Sequence, residues 1–524
     1  MKLIKKLFTK ENLFTIVFVL IALHPFYELD YLIASYLPFR FTTLVNFVVY
    51  PLIVLGIFIL CEKNKKKVII ITAIYAALMI AYFIPHCLTG YYLQDNIHLT
   101  NLYYFTVYDE VFYILTLLIP IAYVYIYKFI DLKESIMEKV TSCISFFVSI
   151  PIVISNFLMV GKTTYETEMA GNFFSWFTMP FDATDHHPRN YATKFYFKEG
   201  NTIGILLVMV LPFMYYFFLR EKDVKKKVGI ALLIITDSLA MMMLGTRVAA
   251  YCALLIPLTV LIIHIFTCLI KTETFKKGFT VFCVLLVIMN AGILPVCPAY
   301  QNQQYDAADY STLKMDDSKR ESYRKGIEEG ADGFEPFSAA WVDYYVYMFE
   351  QYKYLMGVTQ SVYYEYWYDY HVDPKFWVDL IFDYELEDRV NARQVERIFY
   401  NYKWQYLTTS QKLTGFTYSL FMWGGINIEQ DFVLQAYSFG YLGFPLIMGP
   451  WICLILYCIY KFLRGVTHKK WNMFNIICLM SMCLGVVTSY LSGHGMDQFT
   501  TNMFVALTMG YLVQNLRINK NEQA

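Results

Sequence analysis

The sequence predicts an all-α protein that crosses a membrane about a dozen times and carries one large polar, helical loop. Three observations predict it. The 524 residues are 57% hydrophobic and only 16% charged, with mean hydropathy +0.41, more apolar material than a soluble core of this length needs. Apolar stretches long enough to cross roughly 30 Å of hydrocarbon recur along most of the chain. The block from about 298 to 430 is instead polar and crowded with tyrosine.

Taken in order, spans are expected near 12–30, 42–62, 68–85, 109–130, 141–160, 201–219, 228–245, 248–270, 278–295, 438–462, 472–491 and 498–515. The N-terminal lysines followed by an apolar run from Leu13 mimic a signal peptide, but no small-residue cleavage site follows, so the run reads as the first span. Basic clusters fall on alternate links: Lys2–Lys10, Lys63–Lys67, Lys128–Lys139, Arg220–Lys227, Lys271–Lys277, Lys461–Lys470 and Arg517–Lys520. Residues 68–127 hold no Lys or Arg, although they include an external link with Asp95, Asp109 and Glu110. The positive-inside rule therefore puts both termini in the cytoplasm, and the 161–200 link, the large block and the 492–497 turn outside. The expected division is 1–297 (nine spans), 298–430 (a helical cap with helices near 316–329, 338–356, 373–384 and 388–409) and 431–524 (three spans and a tail). A protein that keeps its aqueous residues together on one side is expected to work at that surface.

Composition excludes several classes. Lys plus Arg equals Asp plus Glu at 43 each, so no global field attracts nucleic acid. Cys61, Cys143, Cys252, Cys268, Cys283, Cys453, Cys458, Cys478 and Cys483 lie in or beside apolar stretches, where thiols behave as small hydrophobes. Only Cys87 and Cys297 fall near external ends, where a bridge between them is one reading. There is no metal-ligand spacing, no internal repeat and no phosphate-cradling glycine loop, so no cofactor is expected.

Five features bear polar groups that chemistry needs. Between Lys227 and Lys271 the only charged residues are Asp237 and Arg247, and the stretch fits two spans joined by a tight turn at Gly245-Thr246-Arg247. Arg247 then sits at the outer boundary, where an arginine costs free energy unless it meets an anion or a water-filled cavity. The alternative is snorkelling to headgroups. Asp237 lies roughly 15 Å deeper at 1.5 Å per residue and reads as a structural hydrogen-bonding partner. In the cap, Arg389, Arg393 and Arg397 recur every four residues and share a face if one helix runs through them. Such stacked guanidinium groups suit a diphosphate, bound through forked donors, or a solvated face balanced by Glu385, Glu387, Asp388 and Glu396.

Where the chain returns to the membrane, Glu429-Gln430 precede Gly440-Tyr441-Leu442-Gly443 by nine residues. Glu429 and Asp431 are carboxylates beside an apolar span, where desolvation favours proton acceptance. Gly493-His494-Gly495 with Asp497 lies in a short outer turn, and His494 reads either as a ligand contact or as a turn residue. His186-His187-Pro188-Arg189, with Lys194 and Lys198, makes the 161–200 link basic and aromatic, or an ordinary interfacial belt.

Together these pieces resemble the O-antigen ligase and polysaccharide polymerase superfamily of bacterial membrane glycosyltransferases, whose fold is GT-C-like. Those proteins have about a dozen spans, a large outward loop late in the chain, and an Arg after a small or hydroxylated residue at the outer end of a central span. Here that is Thr246-Arg247 within Leu244-Gly245-Thr246-Arg247-Val248-Ala249-Ala250. The family also shows an Arg about eighteen residues before a Gly-x-Gly turn; Arg397 stands eighteen before Gly415, with Thr417 in place of the second glycine. The ligase signature, His-Asn, nine residues, then Gly-x-x-Gly, keeps its spacing and both glycines, but Glu429-Gln430 replace His-Asn.

The resemblance implies a metal-independent, inverting glycosyltransferase in the bacterial cytoplasmic membrane, taking a polyprenyl-diphosphate-linked glycan, undecaprenyl by resemblance, as donor. A glycan or surface acceptor receives it, and a flippase and a chain-length regulator are implied partners. In this reading Arg247 and Arg397 hold the diphosphate with Arg393 in support, and Glu429 stands in for the family's histidine as base. Arg189, His494, Asp431 and Tyr437 are expected to help bind substrate, and Tyr363, Tyr364, Trp367 and Trp404 to stack on sugars or pack. The rival expectation is a transporter or flippase of lipid-linked glycan or another solute, which predicts matched halves and polar residues at mid-membrane. A non-catalytic scaffold would share the layout without needing Arg247 or Glu429.

Overall fold

The computed structural model describes residues 9–96, 104–164, 166–178, 187–308, 315–356, 364–365, 368–421, 426–465 and 471–516. Tyr363, Trp367 and His186 lie outside them, as do the basic residues of 1–8, 466–470 and 517–524. Among the described residues every regular element is a helix, apart from isolated bridges at Lys162–Glu168 and Lys194–Tyr196.

The first nine helices are α1 (Lys10–Tyr27), α2 (Phe41–Cys61), α3 (Lys65–Gln94), α4 (Val107–Ile126), α5 (Glu134–Leu158), α6 (Gly200–Arg220), α7 (Val224–Met243), α8 (Arg247–Leu269) and α9 (Lys277–Ile293). The polar block holds α10 (Pro298–Ala308), α11 (Asp317–Ala331), α12 (Ala339–Tyr352), α13 (Pro374–Asp383), α14 (Leu386–Arg389), α15 (Ala392–Gln405) and α16 (Thr409–Thr414). Three more close the chain: α17 (Asp431–Arg464), α18 (Met473–Ser492) and α19 (Phe499–Asn515).

Among the described residues, ten helical stretches are long and apolar enough to cross a membrane. The protein is therefore polytopic. The other two expected spans are helical as well, but α7 opens with three lysines and carries Asp237, and α19 has only 17 residues. Helix breaks have local causes. In α2 a π-helical turn at Val45–Val49 sits just before Pro51, whose missing N–H and ring deny the preceding turn its regular bonds.

The chain forms two compact units. One comprises Met1–Ile69, Leu115–Tyr305 and Gly449–Ala524, the other Ile70–Ile114 and Asp306–Met448. In the first unit α6 is the hub: its apolar window is wholly buried, and it packs against α5, α7, α8, α18 and α19. A helix apolar all round has to be surrounded in this way. Asp237 is fully buried there and accepts hydrogen bonds from Ser145 at 2.6 and 2.7 Å and from Ser149. It is the structural partner that its depth predicted.

In the second unit an aromatic core joins α11, α12, α13 and α15: Trp341, Tyr345, Phe349, Trp377 and Phe399 are all buried in it. At its centre Lys403 pairs with Asp373 at 2.6 Å, and Tyr368 and Tyr402 donate to the same carboxylate at 2.9 and 3.1 Å. Burial pushes the Lys403 amine below its usual range, and Asp373 opposes that shift. A buried pair so fully hydrogen-bonded fixes geometry more than it adds stability.

Four expectations are corrected. The helix expected over 388–409 is two helices, because the Asn391 side chain accepts from Arg393 N–H and starts α15 afresh. Arg389 ends α14, is buried, and donates to the carbonyl of Leu355, so it shares no face with Arg393 and Arg397. Glu110 is not in an open link but fully buried in α4. Cys87 and Cys297 are both free thiols, which removes the bridge.

Candidate functional site

In the second unit α15 organises the expected residues. Its first turn carries Arg393, half-buried, which donates to Glu429 Oε2 through Nε at 3.2 Å and through Nη2 at 3.1 Å. One turn on, buried Glu396 accepts the backbone N–H of Glu429 at 2.9 Å. The same helix therefore holds residue 429 by side chain and by backbone. The Glu429 side chain remains 42% exposed, so its carboxylate is positioned yet open to a ligand.

Asp431, two residues later, is 1% exposed at the head of α17, where an acidic side chain also suits the helix dipole. Of the two carboxylates only Glu429 is presented. Arg397 is half-buried on α15, near enough to Tyr437 for its charge to act there. The Tyr437 hydroxyl donates to Asn401 of α15, and its ring lies 5.3 Å from Trp404 and 5.4 Å from Tyr400. Tyr437 and Trp404 thus join α15 to α17. Tyr364 packs against Phe349, Tyr370 and Trp377.

The two glycine motifs meet. α17 is interrupted at Gly440, with φ 66° and ψ −172°, and Gly415 ends α16 at φ 84°. A Cβ on Gly415 would lie 2.3 Å from the Ser438 carbonyl, and one on Gly440 would lie 2.4 Å from the Gly415 nitrogen. Phe416 N–H donates to Tyr437 O at 2.9 Å and Thr417 N–H to Ser438 O at 3.0 Å. Only glycine permits that backbone-on-backbone approach with left-handed φ. Gly443 fits the same way, since a Cβ there would overlap the Tyr82 hydroxyl. Sequence reasoning missed Tyr82, His86 and Glu110, which are buried around this turn. The available signal was an ionisable residue within or beside an apolar stretch.

In the first unit Arg247 opens α8 and is exposed. Its turn is stitched to the 161–200 link: Thr193 N–H donates to Met243 O at 2.8 Å, Thr164 Oγ1 to Leu244 O at 2.5 Å, and Gly245, φ +73°, abuts Ala192. Arg189 lies in the 3-10 turn Pro188–Tyr191 and donates to Asn302 of α10 at 3.1 Å. Tyr251, one turn beyond Arg247, donates to Gln303 of α10 at 2.7 Å. α10 therefore gathers Arg189 and the head of α8. Lys194 is buried, donating to Lys198 O at 2.7 Å and to Glu166, which makes it structural.

His494, at φ 58°, faces Asp497 with Nδ1 3.1 Å from Oδ2. Its backbone carbonyl accepts from Thr202 of α6 at 2.8 Å, and Ser492 O accepts from Asn201 at 3.1 Å. α6 packs on both α8 and α18, and those two also touch. The ends of all three helices, with Arg247 and His494, thus lie at one end of this unit. Among the described residues no three His, Cys, Asp or Glu side chains gather as metal ligands.

The profile of the family described as "O-antigen ligase like membrane protein" matches residues 10–519, almost the entire chain. The chain belongs to that family. Comparison with curated proteins and with solved structures returned no match. Membership in the O-antigen ligase-like family supports a role in joining glycans at a membrane, as ligase or polymerase, and a glycosyl-transferring activity.

Proposed function

We propose that this chain is an inverting glycosyltransferase that moves a glycan from a polyprenyl diphosphate to a sugar or surface acceptor on the outer face of the cytoplasmic membrane. The observation that carries the reading is the Arg393–Glu429 pair at 3.1 Å, held on α15 at the spacing where the family places its histidine. The acceptor hydroxyl attacks the anomeric carbon, its proton passes to Glu429, and the bond from that carbon to the diphosphate oxygen breaks. Both electrons leave with the polyprenyl diphosphate. A single displacement inverts the anomeric centre, and a carboxylate is a competent base for it.

Arg247 is assigned to the diphosphate. It stands at a helix N-terminus whose Thr246 cap makes no side-chain bond, so backbone N–H groups and the dipole favour an anion beside the guanidinium. Arg397 stabilises charge on the leaving group, and Arg393 fixes Glu429. Arg189 and His494 support the donor. Repeat-unit polymerisation and transfer to a surface acceptor use the same chemistry and differ only in the acceptor.

The test is turnover of a lipid-linked donor by the protein in proteoliposomes. Arg247→Ala and Glu429→Gln are each expected to abolish product while protein level and donor flipping stay unchanged. Full turnover by both variants overturns the assignment.

A further inference from the structure

Around the Gly415–Gly440 crossing, α3 and α4 supply polar side chains with no exposure to speak of: His86 and Glu110 are each at 0% and Tyr82 at 7%. His86 Nδ1 lies 2.8 Å from Thr414 O, and Nε2 lies 3.0 Å from Glu110 Oε2. The other oxygen, Glu110 Oε1, accepts Ser419 N–H at 2.6 Å. Tyr82 donates its hydroxyl hydrogen to Phe439 O at 2.9 Å and lies 3.0 Å from His86 Nδ1. The Thr89 and Thr414 hydroxyls meet at 2.8 Å. All of these residues belong to one compact unit.

Counting protons gives the arrangement its logic. A carbonyl only accepts, so Nδ1 carries a hydrogen and donates it to Thr414 O. Nε2 then faces a carboxyl oxygen, and one proton lies between His86 and Glu110 whichever of them holds it. Ser419 N–H satisfies the remaining oxygen. The network thus grips residues 414 and 419, on both sides of the Gly415 turn, and residue 439, beside the Gly440 break. Glu429 lies on the segment between these two gripped points, and Tyr437 stands two residues before the second.

We propose that His86, Glu110 and Tyr82 are positioning residues: a buried clamp that locks the crossing of the two glycine turns and so sets the placement of Glu429 for glycosyl transfer. The inference rests on the proposed function for its activity readout, and on backbone exchange for a readout that does not need it. The clamp is built for hydrogen bonding and not for proton supply, which separates it from a catalytic dyad. A Gln at position 110 offers an oxygen to Ser419 N–H and an N–H to Nε2 of neutral His86, so it reproduces both bonds without an ionisable proton.

The experiment measures kcat and donor KM on the lipid-linked donor in proteoliposomes, with hydrogen–deuterium exchange over 414–421 and 437–441. His86→Ala and Glu110→Ala are expected to lower kcat about 10²-fold, the loss that a misplacement near 1 Å produces, with donor KM unchanged. Exchange at Phe416 and Thr417 rises, while α13 in the cap core keeps its protection. Glu110→Gln restores kcat to within a few-fold of wild type. If the alanine variants fail to fold, Tyr82→Phe, which removes one hydroxyl, still has to speed exchange at Phe416 and Thr417. Wild-type turnover in both alanine variants, or wild-type exchange in Tyr82→Phe, overturns the clamp. A Glu110→Gln variant as inactive as Glu110→Ala also overturns it, in favour of proton chemistry. Loss of activity in Glu429→Gln but not in the clamp variants sinks the clamp alone. Retention in Arg247→Ala and Glu429→Gln sinks the glycosyl-transfer reading and leaves the exchange result standing.

Discussion

Glu429 and Asp431 are near neighbours in sequence with opposite surroundings, one open and paired with Arg393, the other buried at the start of α17. Substitution separates their roles. Asp431→Asn, which keeps shape and most hydrogen bonds, should leave turnover within about tenfold and loosen the α17 head, seen as faster amide exchange there; a base is worth about 10²–10⁴-fold, so an Asp431→Asn variant as inactive as Glu429→Gln reassigns the base. A second residue-scale prediction concerns Asp379 on α13 of the cap, which is not one of the spans. Burial pushes its carboxyl from 3.8 up to about 6, although Lys375 opposes the shift and Asp383 and Asp373 add to it. Arg324 and Glu328 line the same cavity. A raised carboxyl makes the folded state hold its proton after the unfolded chain has released one, so stability falls as pH rises from about 4 to 6 and is level above. Amide protection in α13, corrected for intrinsic exchange, should decline across that window in wild type. It should stay flat in Asp379→Asn. An equal decline in the variant assigns the effect to another group.

The glycines show what an element needs and what a sequence reveals of it. Gly440→Ala puts a Cβ within 2.6 Å of the Lys412 carbonyl at a φ of +66°, so the crossing with Gly415 has to open. That φ with ψ −172° is backbone that essentially only glycine adopts, and it costs an alanine about 1–3 kcal/mol before any overlap. Exchange at Phe416 and Thr417 should rise and product formation should fall at least tenfold. Gly449→Ala is the control, with no atom within 4 Å of the new Cβ and a helical backbone, and is expected to be neutral or stabilising by about 0.5–1 kcal/mol. A Gly440→Ala variant that matches it in activity and exchange removes the need for the break. The helices were legible because hydropathy and periodicity are local, as the agreement over 316–329 and Asp317–Ala331 illustrates. The split of 388–409 was not, because one Asn391 side-chain bond outweighs a helix-compatible pattern. The spacing of the glycine motifs was readable, but their pairing across 25 residues was not. His86 escaped notice because hydropathy ends the span at 85, whereas α3 continues to Gln94.

At the scale of the whole molecule, the proposed chemistry depends on which side of the membrane Arg247 occupies, and that depends on α7. Its 20 residues extend about 30 Å at 1.5 Å per residue, the thickness of the hydrocarbon, but three lysines and Asp237 keep it less apolar than its neighbours. If α7 crosses, the clusters Arg220–Lys227 and Lys271–Lys277 share one side, and the Gly245–Arg247 turn lies on the other. If it does not, the two clusters are separated by a single span, α8, and one of them sits on the wrong side of the positive-inside rule. Packing favours crossing: α7 lies against α5, α6 and α8, and Asp237 is satisfied by Ser145 and Ser149 instead of lipid. A buried, hydrogen-bonded carboxyl removes most of the penalty that lowers its hydropathy. Truncations fused to an enzyme that is active only outside the cytoplasm, placed after Asp223, Gly245 and Glu273, are therefore expected to show activity after Gly245 alone. Equal activity after Asp223 and Gly245 makes α7 a non-crossing helix. Arg247 then faces the same compartment as the Arg220–Lys227 cluster, and a lipid-linked donor on the outer leaflet cannot reach it.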